Sequence, residues 1–471
     1  MVTTVQDPHF PQVHLRPPAN WINDPNGLVF HDGYYHLFYQ HNPAGPLHRH
    51  IHWGHFRSRD LLHWEPLPIA LAPTPEGEDA HGCFSGSAVS HDGRITAFYS
   101  AYREDRWYQP VAAADSGPEG TDFTKRPDLV VPRPPHGVTT YRDPYVWRHT
   151  HGWRMLVGAG LRDGQGAALL YESDDLTTWR YLGPLPAADD PSGRQHTGEA
   201  WECPQLATFD DGRALLIASA WYQRTGPSHV VSWSGTSDQG QYHFGPPTRF
   251  DHGPDFYAPA LLRAPDGRWL LWGWSWEARG GTGTWAGVLT VPREVTLTPD
   301  GRPRQVPARE LEGLRTGQPL RTEIRALPRE VNELDRLAGA ADIRLRVSFG
   351  EDVAWGLRIN SSDDGEEHLD LRLSEGTLTI DRGRASADPQ AHVGRYTMPM
   401  PQAAPGRTAE LRLLLDHSIL EIFSHSGETL TLRYYPSSAQ GWRLVTHNRA
   451  TTRTTTEVEV HTLRTPDGDR K

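Results

Sequence analysis

The sequence predicts an all-β chain, a five-bladed β-propeller followed by a C-terminal antiparallel β-sandwich. Three observations predict it. Turn glycines recur at a near-constant interval over the first 300 residues, aromatic-ended turns ride on the same interval, and after residue 320 the pattern changes to apolar alternation. Composition agrees: the 471 residues include 17 Trp, 16 Tyr and 13 Phe beside 45 Gly and 40 Pro. Aromatic and turn-forming residues in that abundance suit many short strands joined by tight turns.

The first hairpin is marked by Asp32-Gly33 followed by the run Tyr34-Tyr35-His36-Leu37-Phe38. Equivalent turns stand at Gly93, Gly152, Gly212 and Gly267, so the intervals are 60, 59, 60 and 55 residues. A Gly turn leading into an apolar run is a hairpin signal. A polar turn ending in an aromatic follows the first four glycines, at Trp64, Phe123, Trp179 and Phe244, with offsets of 31, 30, 27 and 32. Two signals on one period mark an array, and about sixty residues hold the four strands of one propeller blade. A long sandwich with evenly spaced hairpins would not explain both. The propeller is placed at residues 1–305 and a linker at 306–319, where Leu311 and Leu314 show helical spacing.

Residues 320–471 read as the sandwich. Ile343, Leu345, Val347 and Phe349 alternate, as do Leu369, Leu371 and Leu373, then Leu411, Leu413 and Leu415, and finally Val458 and Val460. Period-two runs separated by turn-rich gaps are the pattern of antiparallel strands with one buried face. No dense acid or His constellation falls in this part, so structural support is expected of it ahead of sugar binding.

Several partner classes are excluded. The net charge of -11 is spread without long runs, which argues against nucleic acid. No apolar run approaches the roughly 20 residues needed to span a membrane. The N-terminal residues lack the basic and apolar segments of a signal peptide, so a cytoplasmic location is expected, or secretion if a leader has been trimmed. Cys83 and Cys203 are expected as free thiols, since two cysteines make no disulfide framework. His48, His50 and His52 alternate without the acids of a zinc site, so no metal is expected there and no cofactor elsewhere.

Measured back from the turn glycines, Asp24, Ser85, Asp143, Glu202 and Tyr257 lie 9, 8, 9, 10 and 10 residues earlier. The expectation is one structural position, on the innermost strand of each blade, facing a central channel. Three of the five are acids. Pro follows each acid within two positions, as Pro25, Pro144 and Pro204, and constrains the chain there. One such acid is a turn or ion-pair residue by default. Three at one channel mouth suit a glycosidase, in which one carboxylate attacks the anomeric carbon and one protonated acid releases the leaving group. Crowding raises a carboxyl pKa and so supplies the protonated partner.

The motifs resemble those of the family 32 glycoside hydrolases, the invertases and fructanases. Trp21-Ile22-Asn23-Asp24-Pro25-Asn26-Gly27 is similar to the family's nucleophile block. Gln40-His41-Asn42-Pro43, Trp53-Gly54-His55, Phe84-Ser85-Gly86-Ser87, Arg142-Asp143-Pro144 and Glu202-Cys203-Pro204 resemble further blocks in order. Tyr257-Ala258-Pro259, Pro292-Arg293-Glu294 and Asp416 to Phe423 complete the set. The resemblance implies Asp24 as nucleophile, Glu202 as general acid/base and Asp143 as the carboxylate that holds ring hydroxyls and stabilises the transition state. It implies that Asn23, Gln40, Trp53, Phe84, Ser85 and Arg142 shape a fructose pocket, with Trp274 in Gly273-Trp274 as a further member. Tyr257 is a candidate from repeat position.

The implied partner is a small sugar or oligosaccharide with terminal β-fructofuranosyl units, cleaved with retention through a fructosyl-enzyme. That chemistry expects the Asp24 and Glu202 carboxyls about 5–5.5 Å apart. Three alternatives remain: a fructosyltransferase on the same residues, an inverting arabinan- or xylan-type propeller hydrolase, and a non-catalytic sugar-binding propeller. The residues do not separate sucrose, inulin, levan and phosphorylated sucrose, nor do they give an oligomeric state.

Overall fold

The computed structural model describes residues 7–150, 152–186, 197–238, 240–280, 283–337, 339–437 and 441–465. The fold is all-β, a propeller-type array followed by a sandwich. Five antiparallel sheets occupy the chain up to Pro307. The first contains Asn20–His31, Tyr34–Asn42, His52–Ser58 and Trp64–Leu71. The second contains Gly82–His91, Arg94–Tyr102, Val111–Ser116 and Phe123–Lys125. The third contains Val138–His149, Gly152–Leu161, Gly166–Ser173 and Arg180–Pro184. The fourth is led by Ala200–Thr208, Arg213–Tyr222 and Gly226–Asp238, and the fifth by Tyr257–Arg263, Trp269–Ser275 and Arg293–Leu297.

The five turn glycines all lie where a first strand joins a second. Gly33, Gly93, Gly212 and Gly267 take φ between 71° and 86°, which explains glycine at these turns. The third hairpin differs, because Thr150 takes the positive φ there and Gly152 does not.

The aromatic signal has a packing explanation. Trp64 of the first sheet meets Trp272 of the fifth edge-on, at 6.1 Å and 86°. Phe123 of the second meets Phe38 of the first at 5.4 Å and 89°, and Trp179 of the third meets Phe98 of the second at 6.0 Å and 84°. Phe38, Phe98 and Trp272 each stand five residues after their turn glycine. These three outer aromatics are therefore wedges against the same position of the preceding sheet, and the first sheet's wedge lands on the fifth. Apolar clusters fill the gaps between successive sheets in the same order. A fully buried Leu or Phe in such a cluster contributes roughly 1.5–3 kcal/mol.

The first strands pack on one another in chain order, and the fifth packs on the first. A short strand, Trp285–Ala286, also adds in parallel to Asn20 and Trp21. One cavity opens among the five first strands at each end of the bundle they form.

A 3-10 helix, Arg309–Leu314, buries Leu311 and Leu314 and leads into Arg315–Ala326, so the sandwich begins inside the stretch expected to link the parts. Two six-stranded antiparallel sheets follow. The alternating residues face one core, which includes Ile343, Leu345, Leu371, Leu413 and Val460. No described helix is long and apolar enough to cross a membrane.

The junction between array and sandwich buries charged groups beside an apolar cluster that includes Val291, Leu314 and Phe423. Arg293 is fully buried, donates to Glu421 Oε2 from Nε at 2.8 Å and meets Asp251 Oδ2 at 2.9 Å. His14 bridges Asp416 Oδ2 and Glu421 Oε1, both at 2.9 Å. Burial opposes a charge on His14, but the bonds to Asp416 and Glu421 win and raise its pKa to about 9. The blocks around Arg293 and Asp416 thus lie at this seam.

Candidate active site

Every first strand of the array carries an irregularity at the same level. The pairing register slips between Ile22 and Pro25, Phe84 and Gly86, Arg142 and Pro144, Glu202 and Gln205, and Tyr257 and Ala260. These are β-bulges, which re-aim side chains and bend a strand. Pro fits there because a bulged residue forfeits a ladder bond anyway. Asp143, Cys203 and Ala258 take φ of 66°, 46° and 46° at the bulge, a conformation few side chains adopt.

The bulges correct one expectation. The five counted residues do not share a single position. Phe84, Arg142, Glu202 and Tyr257 pair across to Ser100, Gly158, Ser219 and Trp274, and form one level. Ser85 and Asp143 follow as bulged residues, with Asp24 likewise just before its Pro, and form a second level. In the fourth sheet Cys203 holds that second position, and Glu202 belongs to the first. Counting back from the turn cannot separate adjacent positions when a bulge adds a residue.

Second strands lock each bulge. Ser100 Oγ accepts the Asp143 N–H at 2.7 Å and donates to the Ser85 carbonyl at 2.9 Å. Ser219 Oγ accepts the Ala258 N–H at 3.0 Å, and the Gln40 amide donates to Ser85 Oγ. At the matching place in the third sheet stands Gly158, where a Cβ would come within 2.3 Å of the Trp201 carbonyl.

The result is a cavity of about 410 Å³. Its lining includes Asn23, Asp24, Gln40, Phe84, Ser85, Arg142, Asp143, Glu202, Tyr257 and Trp274, and so unites all but one of the expected residues. The exception is Trp53. It is fully buried on the third strand of the first sheet, and its indole N–H donates to the Phe84 carbonyl at 3.1 Å. It backs the wall and does not face the cavity. Trp21, His48, Gln109 and Pro227 also line it; the last three lie in loops 44–52, 102–110 and 222–228, which the sequence places at the channel rim without singling these residues out. Gln109 carries no local signal, since an isolated Gln in a loop has none.

The acids are held differently. Asp24 Oδ2 accepts from Ser85 Oγ at 2.5 Å, and Oδ1 from Asn23 at 3.2 Å. Trp21 Nε1 in turn donates to Asn23 Oδ1 at 2.6 Å. Glu202 Oε1 meets Arg142, and Oε2 accepts from the Tyr257 hydroxyl at 2.7 Å. Asp143 Oδ2 accepts the Cys203 N–H at 3.0 Å. Cys203 Sγ lies 3.6 Å from Asp24 Oδ2 and 3.7 Å from Asp143 Oδ2, a thiol between two carboxylates. Burial, with the Glu202 charge, raises Asp24 to about 6 against the Ser85 bond. Burial and the charge of Glu202 raise Asp143 to about 7 although Arg142 opposes. Asp24 and Asp143 are thus both held above the ordinary carboxylate range, and because they interact they titrate together.

Residues 14–307 match the model for the glycosyl hydrolases family 32 N-terminal domain, and residues 310–462 match that for the glycosyl hydrolases family 32 C-terminal domain. The chain is 33% identical over 461 residues to a sucrose-6-phosphate hydrolase of Escherichia coli, covering 91% of this chain and 89% of the relative. It is 34% identical over 471 residues to a raffinose invertase of Escherichia coli, covering 91% and 90%. The crystal structure of fructan 1-exohydrolase IIa from Cichorium intybus superposes with a TM-score of 0.84 at 25% identity, over 97% of this chain and 98% of that one. On these matches, which span both parts of the molecule, the chain belongs to glycosyl hydrolases family 32.

Proposed function

We propose that the protein hydrolyses terminal β-D-fructofuranosyl units from sucrose or fructo-oligosaccharides, with retention of configuration. The observation that carries this reading is the meeting of Asp24, Asp143 and Glu202 in one cavity. Relatives named sucrose-6-phosphate hydrolase and raffinose invertase support fructosyl hydrolysis. The five sheets are read as five blades around the axis on which the site lies, with the array as the catalytic domain and the sandwich as its support.

In this reading Asp24 attacks C2 of the fructosyl group. A C–O bond forms to the carboxylate as the bond to the leaving oxygen breaks. Glu202 donates a proton to that oxygen. Glu202 then takes a proton from water, which attacks C2 and frees Asp24. Asp143 and Arg142 hold ring hydroxyls, and the two bonds on Asp24 aim its free lone pairs.

The test is a substrate panel that follows fructose release from sucrose, raffinose, inulin and levan, with NMR of the first-formed fructose anomer. Initial release of β-fructofuranose supports the reading. Initial release of the α anomer overturns retention, and no fructose from any member overturns the whole assignment.

A further inference from the structure

The cavity has a floor and a mouth. First strands supply the floor with the three acids. The mouth comes from the connections between second and third strands, residues 43–51 in the first sheet and 103–110 in the second, with Pro227 of the fourth sheet beyond them. The first two connections each send one polar side chain inward, His48 and Gln109.

Neither side chain hydrogen-bonds another described residue. Gln109 is only 8% exposed, yet its Oε1 has no hydrogen-bond partner. Its backbone N–H is bound to the Tyr141 carbonyl at 2.9 Å, which fixes it beside Arg142. A buried amide oxygen without a partner is costly unless a ligand satisfies it. His48 stands edge-on to Trp21 at 5.8 Å and to Phe84 at 5.3 Å, the aromatics that flank Asn23 and Ser85. Its ring makes no hydrogen bond to another described residue. Burial lowers its pKa, so the ring is neutral near pH 7; one ring nitrogen bonds the residue's own backbone, and the other is left for a ligand. The Gln109 amide offers both a donor and an acceptor, and sugar hydroxyls use both.

With the fructosyl unit on the floor, the leaving group, whose oxygen Glu202 protonates as its bond to C2 breaks, must lie at the mouth. We propose that His48 and Gln109 form the subsite that recognises the leaving sugar by its hydroxyls, and that they set the preference for that leaving group. This rests on the fructoside reading above.

The experiment compares wild type, His48→Phe and Gln109→Leu on sucrose and on p-nitrophenyl β-D-fructofuranoside, whose leaving group has no hydroxyls. His48→Phe keeps the ring contacts with Trp21 and Phe84. Each variant should lose about tenfold in kcat/KM on sucrose, carried mostly by KM, as expected for one lost hydrogen bond. On the aryl substrate the change should stay under about twofold, and Tm should hold, because neither side chain bonds another described residue. Equal losses on both substrates, or no loss on sucrose, overturn the subsite alone. Failure of the wild type to turn over either substrate overturns the fructoside reading and the subsite with it.

Discussion

Arg142 meets Glu202 Oε1 twice, from Nε at 2.8 Å and from a terminal nitrogen at 2.7 Å. The two residues come from neighbouring first strands, and the contact leaves Oε2 to the Tyr257 hydroxyl. Each oxygen of Glu202 is thus positioned from a different side. Arg142→Lys keeps the charge but loses the planar fork. A fall of about 10²-fold in kcat/KM on sucrose is expected, with little change in Tm. Activity within a factor of two of wild type would remove Arg142 from the machinery.

Asp24→Ala should remove turnover by about 10⁴-fold or more, since no other group can attack from its place. The circular dichroism spectrum should not change. The carboxylate is bonded only within the cavity, to Ser85 and Asn23, with Gln40 and Cys203 farther off.

Glu202→Gln keeps the shape and the Tyr257 contact but cannot donate a proton. The loss on sucrose should be on the order of 10²–10⁴-fold, and markedly smaller for p-nitrophenyl fructoside, whose leaving group needs no acid. Equal losses on both would argue against general acid catalysis by this residue.

The pH profile has a definite sign. Asp24 must be ionised to attack, and its pKa is raised to about 6. The kcat/KM profile should therefore fall as pH drops through about 6, not through the ordinary carboxylate range near 4. The same crowding destabilises the fold. A carboxyl whose folded pKa is raised contributes stability below its unfolded pKa and loses it as pH rises through the folded one. Asp143, raised to about 7, is the clearest case. Asp143→Asn should raise Tm by a few degrees at pH 8 and leave it unchanged below about pH 4. An equal gain at both pH values would sink the electrostatic account.

Arg293→Met should cost about 3–5 kcal/mol of stability, because Glu421 and Asp251 would be left as buried charges. Thermal denaturation reads this, while kcat/KM at low temperature should be near wild type. A variant with wild-type Tm would show that water compensates the two acids.

How much of this was legible in the chain follows from the physics of each element. The turn glycines were legible because a positive φ demands them, and the wedge aromatics because one packing contact recurs. The sandwich strands were legible from alternation. The bulges were not, because a one-residue insertion leaves no mark in a hydrophobic pattern. That is why Glu202 was set level with Asp143 when it stands level with Arg142 and Tyr257. Trp53 could not be placed, because an aromatic beside a motif looks the same whether it faces a cavity or supports its wall. Gln109 and Pro227 reach the cavity from connections whose path only tertiary packing decides.

The strand that carries Asp24 is fastened by segments far from it in sequence. Its start pairs with Trp285–Ala286, and the segment before it is clamped by Asp416, which accepts the N–H groups of Gln12, Val13 and His14 some 400 residues away in sequence. A growing chain that ends before residue 416 lacks both that clamp and the Glu421 bond to His14. The sandwich thus holds the segment that leads into the strand of Asp24, although it contributes no described residue to the cavity.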